Sequence, residues 1–124
     1  MKPDQTPYFI NPSTAPKFSQ RVGIESVLLT GLNGEKMMMA LSTTLPGHTV
    51  EIHSHPHEQV GIIYSGQALL RIGGEERHVK KGDFYCIPGN VPHGDTCIGD
   101  EPFTMLDVFY PIRQDIIDKY KNRK

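Results

Sequence analysis

The stretch HSHPHEQ at residues 53–59 determines which fold this chain can adopt. His53 and His55 stand two residues apart, and because side chains alternate between the faces of a β-strand, both imidazoles point to the same side. A third histidine, His93, follows in the proline-flanked turn VPH at residues 91–93. It can approach the first two only where a sheet curls back on itself. The pattern therefore predicts a β-barrel that holds a metal site.

Length and composition are those of a single ordinary domain. The 124 residues suffice to bury a core, and a net charge of −1 gives no electrostatic reason to bind nucleic acid or an anionic membrane. No run of about 18 apolar residues marks a membrane span, and residues 1–20 lack the apolar region of a secretory signal. Two cysteines are too few for a disulfide framework, so Cys86 and Cys97 are expected to be small buried side chains. We expect a cytoplasmic protein with no nucleic-acid or membrane partner.

The middle of the chain alternates short β-prone runs with turn signals. The pair NG at residues 33–34 is the strongest short-range hairpin signal, and GG at residues 73–74 predicts a second two-residue turn. Many short strands with almost no helix predict a sandwich or a barrel. The predicted strands span residues 23–32, 36–45, 48–54, 59–65, 67–72, 76–80, 83–87 and 103–110.

The two ends of the chain differ from its middle. Residues 1–20 are rich in proline and serine, which predicts an extended arm in front of a barrel over residues 21–113. Ile116 and Ile117 belong to an apolar set at helical spacing, so residues 114–124 are predicted to form a short C-terminal helix and tail. No internal repeat and no second domain is evident.

Four side chains form the candidate metal site: His53, His55, Gln59 and His93. Imidazole nitrogens suit several divalent transition metals, and an amide oxygen supplies a further neutral ligand. Three polar rings facing one interior would be unfavourable without a shared partner. Glu58 offers a carboxylate as an alternative to Gln59, but it has the opposite strand parity. We predict one divalent transition metal, namely Zn, Ni, Fe or Mn.

Two motifs resemble those of the cupin family. The pattern G-x5-H-x-H-x3-Q-x6-G over residues 47–66 resembles the first cupin motif, with Gln59 where that family usually has glutamate. The pattern G-x5-P-x-N-x2-H over residues 82–93 resembles the second, with Asn90 where glycine is usual and Cys97 where asparagine is usual. The resemblance implies an all-β fold, the double-stranded β-helix or cupin jelly-roll barrel.

A narrower resemblance lies at the end of the last predicted strand. The stretch DVFYPIR at residues 107–113 resembles the D-V-F-x-x-x-R ending of the KdgF-type pectin-degradation cupins, which linearise unsaturated uronates. That resemblance implies a metal-dependent isomerase that converts a ring-form 4,5-unsaturated galacturonate, a small acidic substrate, into its open-chain keto form. Asp107 would move protons, Phe109 would offer an apolar face to the sugar ring, and Arg113 would act in catalysis and bind the uronate carboxylate in bidentate fashion.

These three residues also have purely structural interpretations. Asp107 could pair with a neighbouring strand, Phe109 could belong to the core, and Arg113 could pair with Asp115 or Asp118 at the helix start. Two other functions remain open at this point. One is a cupin dioxygenase that uses Fe or Cu, with a pocket lined by tyrosines 64, 85 and 110; the other is a non-catalytic, metal-containing protein that binds a small molecule.

A homodimer is the expected assembly. Barrels of this size commonly pair through a sheet edge, because exposed edges invite association. The proline-rich arm over residues 1–20 could lie across the partner.

Overall fold

The computed structural model describes residues 8–123, which form ten strands and one helix. The N-terminal part of the predicted arm, residues 1–7, lies outside the described residues. In chain order the elements are β1 (Lys17–Arg21), β2 (Ile24–Leu28), β3 (Met38–Thr44), β4 (Thr49–His53), β5 (Glu58–Ser65), β6 (Gln67–Ile72), β7 (Glu75–Lys80), β8 (Phe84–Ile87), β9 (His93–Ile98), β10 (Phe103–Tyr110) and α1 (Gln114–Lys121).

The strands form two antiparallel sheets, and the first of two apolar core clusters lies between them. The six-stranded sheet has the order β1-β2-β3-β10-β5-β8, and the four-stranded sheet has the order β4-β9-β6-β7. Alternation along the strands turns apolar side chains inward from both sheets. The predicted all-β class is confirmed. This first core cluster consists of Ile63, Ala68, Leu70, Val79, Tyr85, Ile87, Cys97, Phe103 and Met105.

A second apolar cluster joins the helix to the six-stranded sheet. Ile116 and Ile117 on α1 are buried against Leu28, Met38 and other residues of the first strands. The predicted C-terminal helix is therefore confirmed, and it packs through the two isoleucines that predicted it. Within residues 8–123 no helix is long and apolar enough to cross a membrane.

The predicted boundary between arm and barrel at residue 20 falls inside β1. Phe18 on this strand is buried and belongs to the second cluster. Only this one side chain of the sequence KFSQR is fully buried, so the strand carries almost no alternating apolar signal. Strand β1 forms because it pairs with β2 at the edge of the sheet, and not because of its own sequence pattern.

The sequence does not predict β9, and this strand changes the position of His93. The histidine lies at the start of β9, directly opposite His53 on β4, rather than in a turn. Gly94 and Asp95 are poor strand formers. Two neighbours, β4 and β6, supply ladder partners on both sides, and this tertiary pairing overrides the local preference.

Two smaller expectations differ from the structure. The β2–β3 connection spans residues 29–37, because Leu29 N and Thr30 N both donate to Met39 O and close the hairpin well before the predicted turn at residues 33–34. Cys97 is buried as expected, whereas Cys86 is exposed on the edge strand β8.

Candidate functional site

Three histidines meet at one end of the barrel, where His55 and His93 are buried and His53 is exposed. His53 ends β4, His93 begins β9 opposite it, and His55 follows two residues beyond the end of β4. The ring centroids of His53 and His93 lie 4.4 Å apart, and those of His55 and His93 lie 4.8 Å apart. One ring nitrogen from each residue lies within 4.8 Å of the other two. The sequence-predicted trio is therefore close enough to share one metal ion.

Each of the three imidazoles is held in the same tautomer. Every Nδ1 lies at hydrogen-bond distance from a backbone carbonyl oxygen two residues away, at 2.8 Å for His53, 3.0 Å for His55 and 2.9 Å for His93. A carbonyl oxygen only accepts, so Nδ1 carries the proton and Nε2 keeps its lone pair. Burial also lowers the pKa of His55 to about 4 and lowers the pKa of His93. This is how metal-ligating histidines are normally oriented.

The amide of Gln59 is oriented toward the histidines by its neighbours. Its Nε2 donates to Asp107 Oδ1 at 3.1 Å and to the Tyr85 hydroxyl at 3.3 Å. Its Oε1 then lies 3.2 Å from His55 Nε2, where two hydrogen-bond acceptors face each other. A shared cation satisfies both atoms, so the donor set fits a metal. Glu58, the alternative ligand, is exposed on the opposite face of β5.

Asp107 is a buried carboxylate at the centre of a hydrogen-bond network. Its Oδ2 accepts a hydrogen bond from Ser42 Oγ at 2.5 Å, and its Oδ1 accepts from Gln59 Nε2 and from the Tyr85 hydroxyl. Only 2% of the residue is exposed. Burial raises the pKa of Asp107 to about 6, against the lowering effect of the three donors. The carboxyl group thus holds three neighbours in position and also lines the cavity.

A glycine makes room for this network. Gly61 on β5 stands directly opposite Asp107 on β10. A Cβ at Gly61 would lie 2.7 Å from the Tyr85 hydroxyl oxygen and closer still to the carbonyl oxygen of Leu106. Burial raises the pKa of Tyr85, which therefore stays a hydrogen-bond donor. The missing side chain lets the phenol reach Asp107.

Arg113 is already paired on one edge of its guanidinium. Its Nε donates to Asp115 Oδ1 at 3.0 Å, and its Nη2 donates to Asp115 Oδ2 at 2.7 Å. The hydrogen bonds from Arg113 lower the pKa of Asp115 to about 2. The guanidinium carbon lies 5.1 Å from the centroid of the Phe109 ring, which is itself buried in the second core cluster. Arg113 therefore pairs with Asp115 and Phe109 belongs to the core, as the structural interpretations of these two residues expected.

All seven sequence-predicted site residues line a single cavity of about 310 Å³. They are His53, His55, Gln59, His93, Asp107, Phe109 and Arg113.

Of the three tyrosines considered for a dioxygenase pocket, Tyr64 and Tyr110 are more than half exposed, and only Tyr85 lies inside the barrel.

Several polar residues of the cavity wall are not indicated by the sequence, among them Asp95 and Ser42. Asp95 is 3% exposed, and its Oδ1 accepts a hydrogen bond from Thr44 Oγ1 at 2.8 Å. Burial raises the pKa of Asp95 to about 6. It shares strand parity with His93, a signal that becomes visible only once β9 is known to be a strand. Ser42 occupies an inward position of β3, which the alternation of that strand could have indicated.

Comparison with known proteins agrees with this geometry. The family described as Cupin domain matches residues 40–109. The pectin degradation protein KdgF of Dickeya dadantii (strain 3937) is 30% identical over 89% of this chain and 97% of its own length. The HTH-type transcriptional regulator PuuR of Escherichia coli (strain K12) is 27% identical over 74% of this chain, which spans only 50% of that regulator.

A solved structure supports the fold. The structure of KdgF from Halomonas sp. superposes with a TM-score of 0.79 and covers 90% of this chain and 99% of its own, at 22% sequence identity. At that identity the likeness concerns the fold alone. The jelly-roll barrel expected from the sequence motifs is confirmed.

Proposed function

This chain belongs to the cupin family, and we propose that it is a metal-dependent enzyme that opens the ring of an unsaturated uronate. One observation carries the proposal: three imidazoles, each with its Nδ1 at hydrogen-bond distance from a backbone carbonyl oxygen, and the buried carboxyl group of Asp107 line the same cavity. The KdgF relative, whose name associates it with pectin degradation, supports a sugar acid as substrate.

Four neutral side chains would hold the metal: His53, His55, His93 and Gln59. Their three imidazole nitrogens and one amide oxygen suit Zn, Ni, Fe or Mn. A metal bound there supplies Lewis acidity toward a substrate oxygen. Because none of these ligands is charged, the metal would keep its full positive charge.

The proposed reaction is an isomerisation that needs no co-reactant. The hemiacetal hydroxyl at C1 loses its proton, the bond between C1 and the ring oxygen breaks, and its electron pair goes to that oxygen. This leaves an aldehyde at C1 and an enolate at C5. The enolate becomes a ketone when C4 takes up one proton, which replaces the proton lost from the C1 hydroxyl, so every atom is conserved. We assign the movement of these protons to the buried carboxyl group of Asp107, a role that typically accelerates a reaction by about 10²–10⁴-fold.

Phe109 and Arg113 would border the sugar. The Phe109 ring lies 5.9 Å, centroid to centroid, from the ring of His55, so an apolar face stands beside the metal ligands. Arg113 has only its Nη1 side left for a substrate, because Asp115 occupies the Nε–Nη2 edge. The bidentate grip expected from the sequence would require the other edge of the guanidinium or displacement of Asp115.

The direct test is turnover of the ring-form 4,5-unsaturated galacturonate, followed by proton NMR. We expect the wild-type protein to accelerate formation of the open-chain keto form. Asp107→Asn should lower kcat by at least about 100-fold, whereas the exposed Asp100→Asn should not change it. A wild-type protein with its metal in place that leaves the spontaneous rate unchanged would refute the proposal.

A non-catalytic binding role is the second candidate. Its support is the match to PuuR, a transcriptional regulator of which this chain spans half. Saturable binding of the uronate without turnover would favour it. The cupin dioxygenase alternative instead requires Fe or Cu and consumption of O₂, which an oxygen electrode measures directly.

A further inference from the structure

The cavity is unevenly charged from its floor to its mouth. Arg21 at the end of β1 and Lys119 on α1 both line it and are exposed. Among residues 8–123 neither of them forms an ion pair. Arg113, the third cation of the lining, is already paired with Asp115. The mouth therefore carries two positive charges that no described residue neutralises in an ion pair.

The floor carries two buried carboxyl groups, Asp95 and Asp107. Both oxygens of Asp107 accept hydrogen bonds from the protein. Asp95 differs, because Thr44 donates to Oδ1 and no described residue donates to Oδ2. An acceptor of this kind in the cavity wall favours a donor, such as a hydroxyl group, over a second anion.

We propose that the acidic sugar binds in one orientation, with its carboxylate on Arg21 and Lys119 at the mouth and a hydroxyl group donating to Asp95 at the floor. This inference rests on the proposed function, because it takes a uronate as the ligand. The reverse orientation would set the sugar's carboxylate, which has no hydrogen to donate, against Asp95 Oδ2 and would leave Arg21 and Lys119 without an anion. A cavity of about 310 Å³ lies at the small end of ligand pockets, which favours a single sugar unit.

The test compares two stable probes by calorimetry on the full chain as purified. D-galacturonate carries the carboxylate, and D-galactose has a similar pyranose ring without it. The wild-type protein should bind galacturonate at least about tenfold more tightly than galactose, since a charge-assisted hydrogen bond contributes about that factor or more.

Two variants separate the mouth from the floor. In the double variant Arg21→Ala/Lys119→Ala the preference for galacturonate should fall below about threefold. Asp95→Asn should weaken the binding of both sugars to a similar extent, because the hydrogen bond that Asp95 accepts comes from a sugar hydroxyl group and not from the sugar's carboxylate. The matched control is Arg77→Ala/Lys81→Ala, which removes the same charge from exposed residues outside the cavity and should keep the wild-type preference.

The outcomes are distinguishable from those of the turnover assay. If the double variant keeps the full preference, or if the wild-type protein has none, the orientation is wrong even when the enzyme is active. If the preference depends on Arg21 and Lys119 but the unsaturated uronate is not converted, the orientation stands and the proposed reaction fails.

Discussion

At the scale of single residues, Asp107 connects the candidate metal ligands to the rest of the barrel. Together with the Tyr85 hydroxyl it accepts the hydrogen bonds from Nε2 that turn the Gln59 amide oxygen toward the histidines, and Ser42 and Tyr85 in turn donate to Asp107. Removal of one of the side chains that donate to Asp107 therefore also disturbs the position of the Gln59 amide. Such outer partners typically change metal affinity by about 10–100-fold.

We predict that Tyr85→Phe binds metal about tenfold more weakly than wild type, because the phenol that holds Asp107 and Gln59 is lost. Titration of metal-free protein with Ni²⁺ in a calorimeter measures the effect. Tyr64→Phe removes a hydroxyl from an exposed side chain and serves as the control. Equal metal affinities for wild type and Tyr85→Phe would mean that the Tyr85 hydroxyl does not position Gln59 for metal binding.

A second residue-scale prediction concerns Gly61. Replacement by alanine would force the new Cβ against the Leu106 carbonyl oxygen and the Tyr85 hydroxyl, so Gly61→Ala should reduce the free energy of unfolding by about 3 kcal/mol or more. Urea denaturation measures this. Gly34→Ala, where the Cβ meets open space at a φ of +87°, should cost only about 1 kcal/mol. Similar losses for both variants would rule out crowding as the cause.

At the scale of elements, the sequence predicts the strands in which inward-facing and outward-facing side chains clearly alternate. On β10, Met105, Asp107 and Phe109 share one face, and all three are buried. The two unpredicted strands, β1 and β9, gain their order from neighbouring strands rather than from their own composition. Arg21 and Asp95 lie on those two strands, so the sequence alone could not bring them to the cavity.

The junction between β10 and α1 allows a prediction about pH. The pKa of Asp115 is lowered to about 2 in the folded protein, against about 3.9 for a free aspartate. The ion pair with Arg113 therefore stabilises the fold above about pH 4 and is lost as the pH falls toward 2. Asp115→Asn should lower the free energy of unfolding at pH 7 by less than about 1 kcal/mol, because Asp115 is half exposed.

The same comparison at lower pH tests the sign of this effect. The difference between wild type and Asp115→Asn should shrink between about pH 4 and pH 2. Urea titrations at a series of pH values measure it. A difference that grows on acidification would contradict the assigned ion pair. Asp118→Asn on the same helix, which has no ion pair with Arg113, is the control.

At the scale of the whole molecule, the sequence predicts the barrel because its two histidine motifs belong to opposite strands. His53 and His93 are far apart in the chain, and they stand opposite each other where β4 pairs with β9 in the four-stranded sheet. The sequence does not predict which charged side chains line the cavity, because that depends on how β1, β9 and α1 come together in the fold. The cytoplasmic location stays a prediction.

A homodimer also stays a prediction at this scale. The edge strand β8 exposes Phe84, 78% of which is accessible, next to exposed Cys86. An apolar ring on a free edge favours association with a second copy. Light scattering at tens of micromolar should give twice the mass of the chain. A single species with the monomer mass would reject the dimer.

The metal content of the purified protein tests the central claim most directly. Elemental analysis of freshly purified, chelator-free wild type should find about one divalent transition metal per chain, and His53→Ala should contain none, since one of the three imidazoles that share the site is removed. His78→Ala, which alters an exposed histidine outside the cavity, should retain the metal. Wild-type protein without metal, or His53→Ala with as much as wild type, would contradict a metal centre built on these histidines.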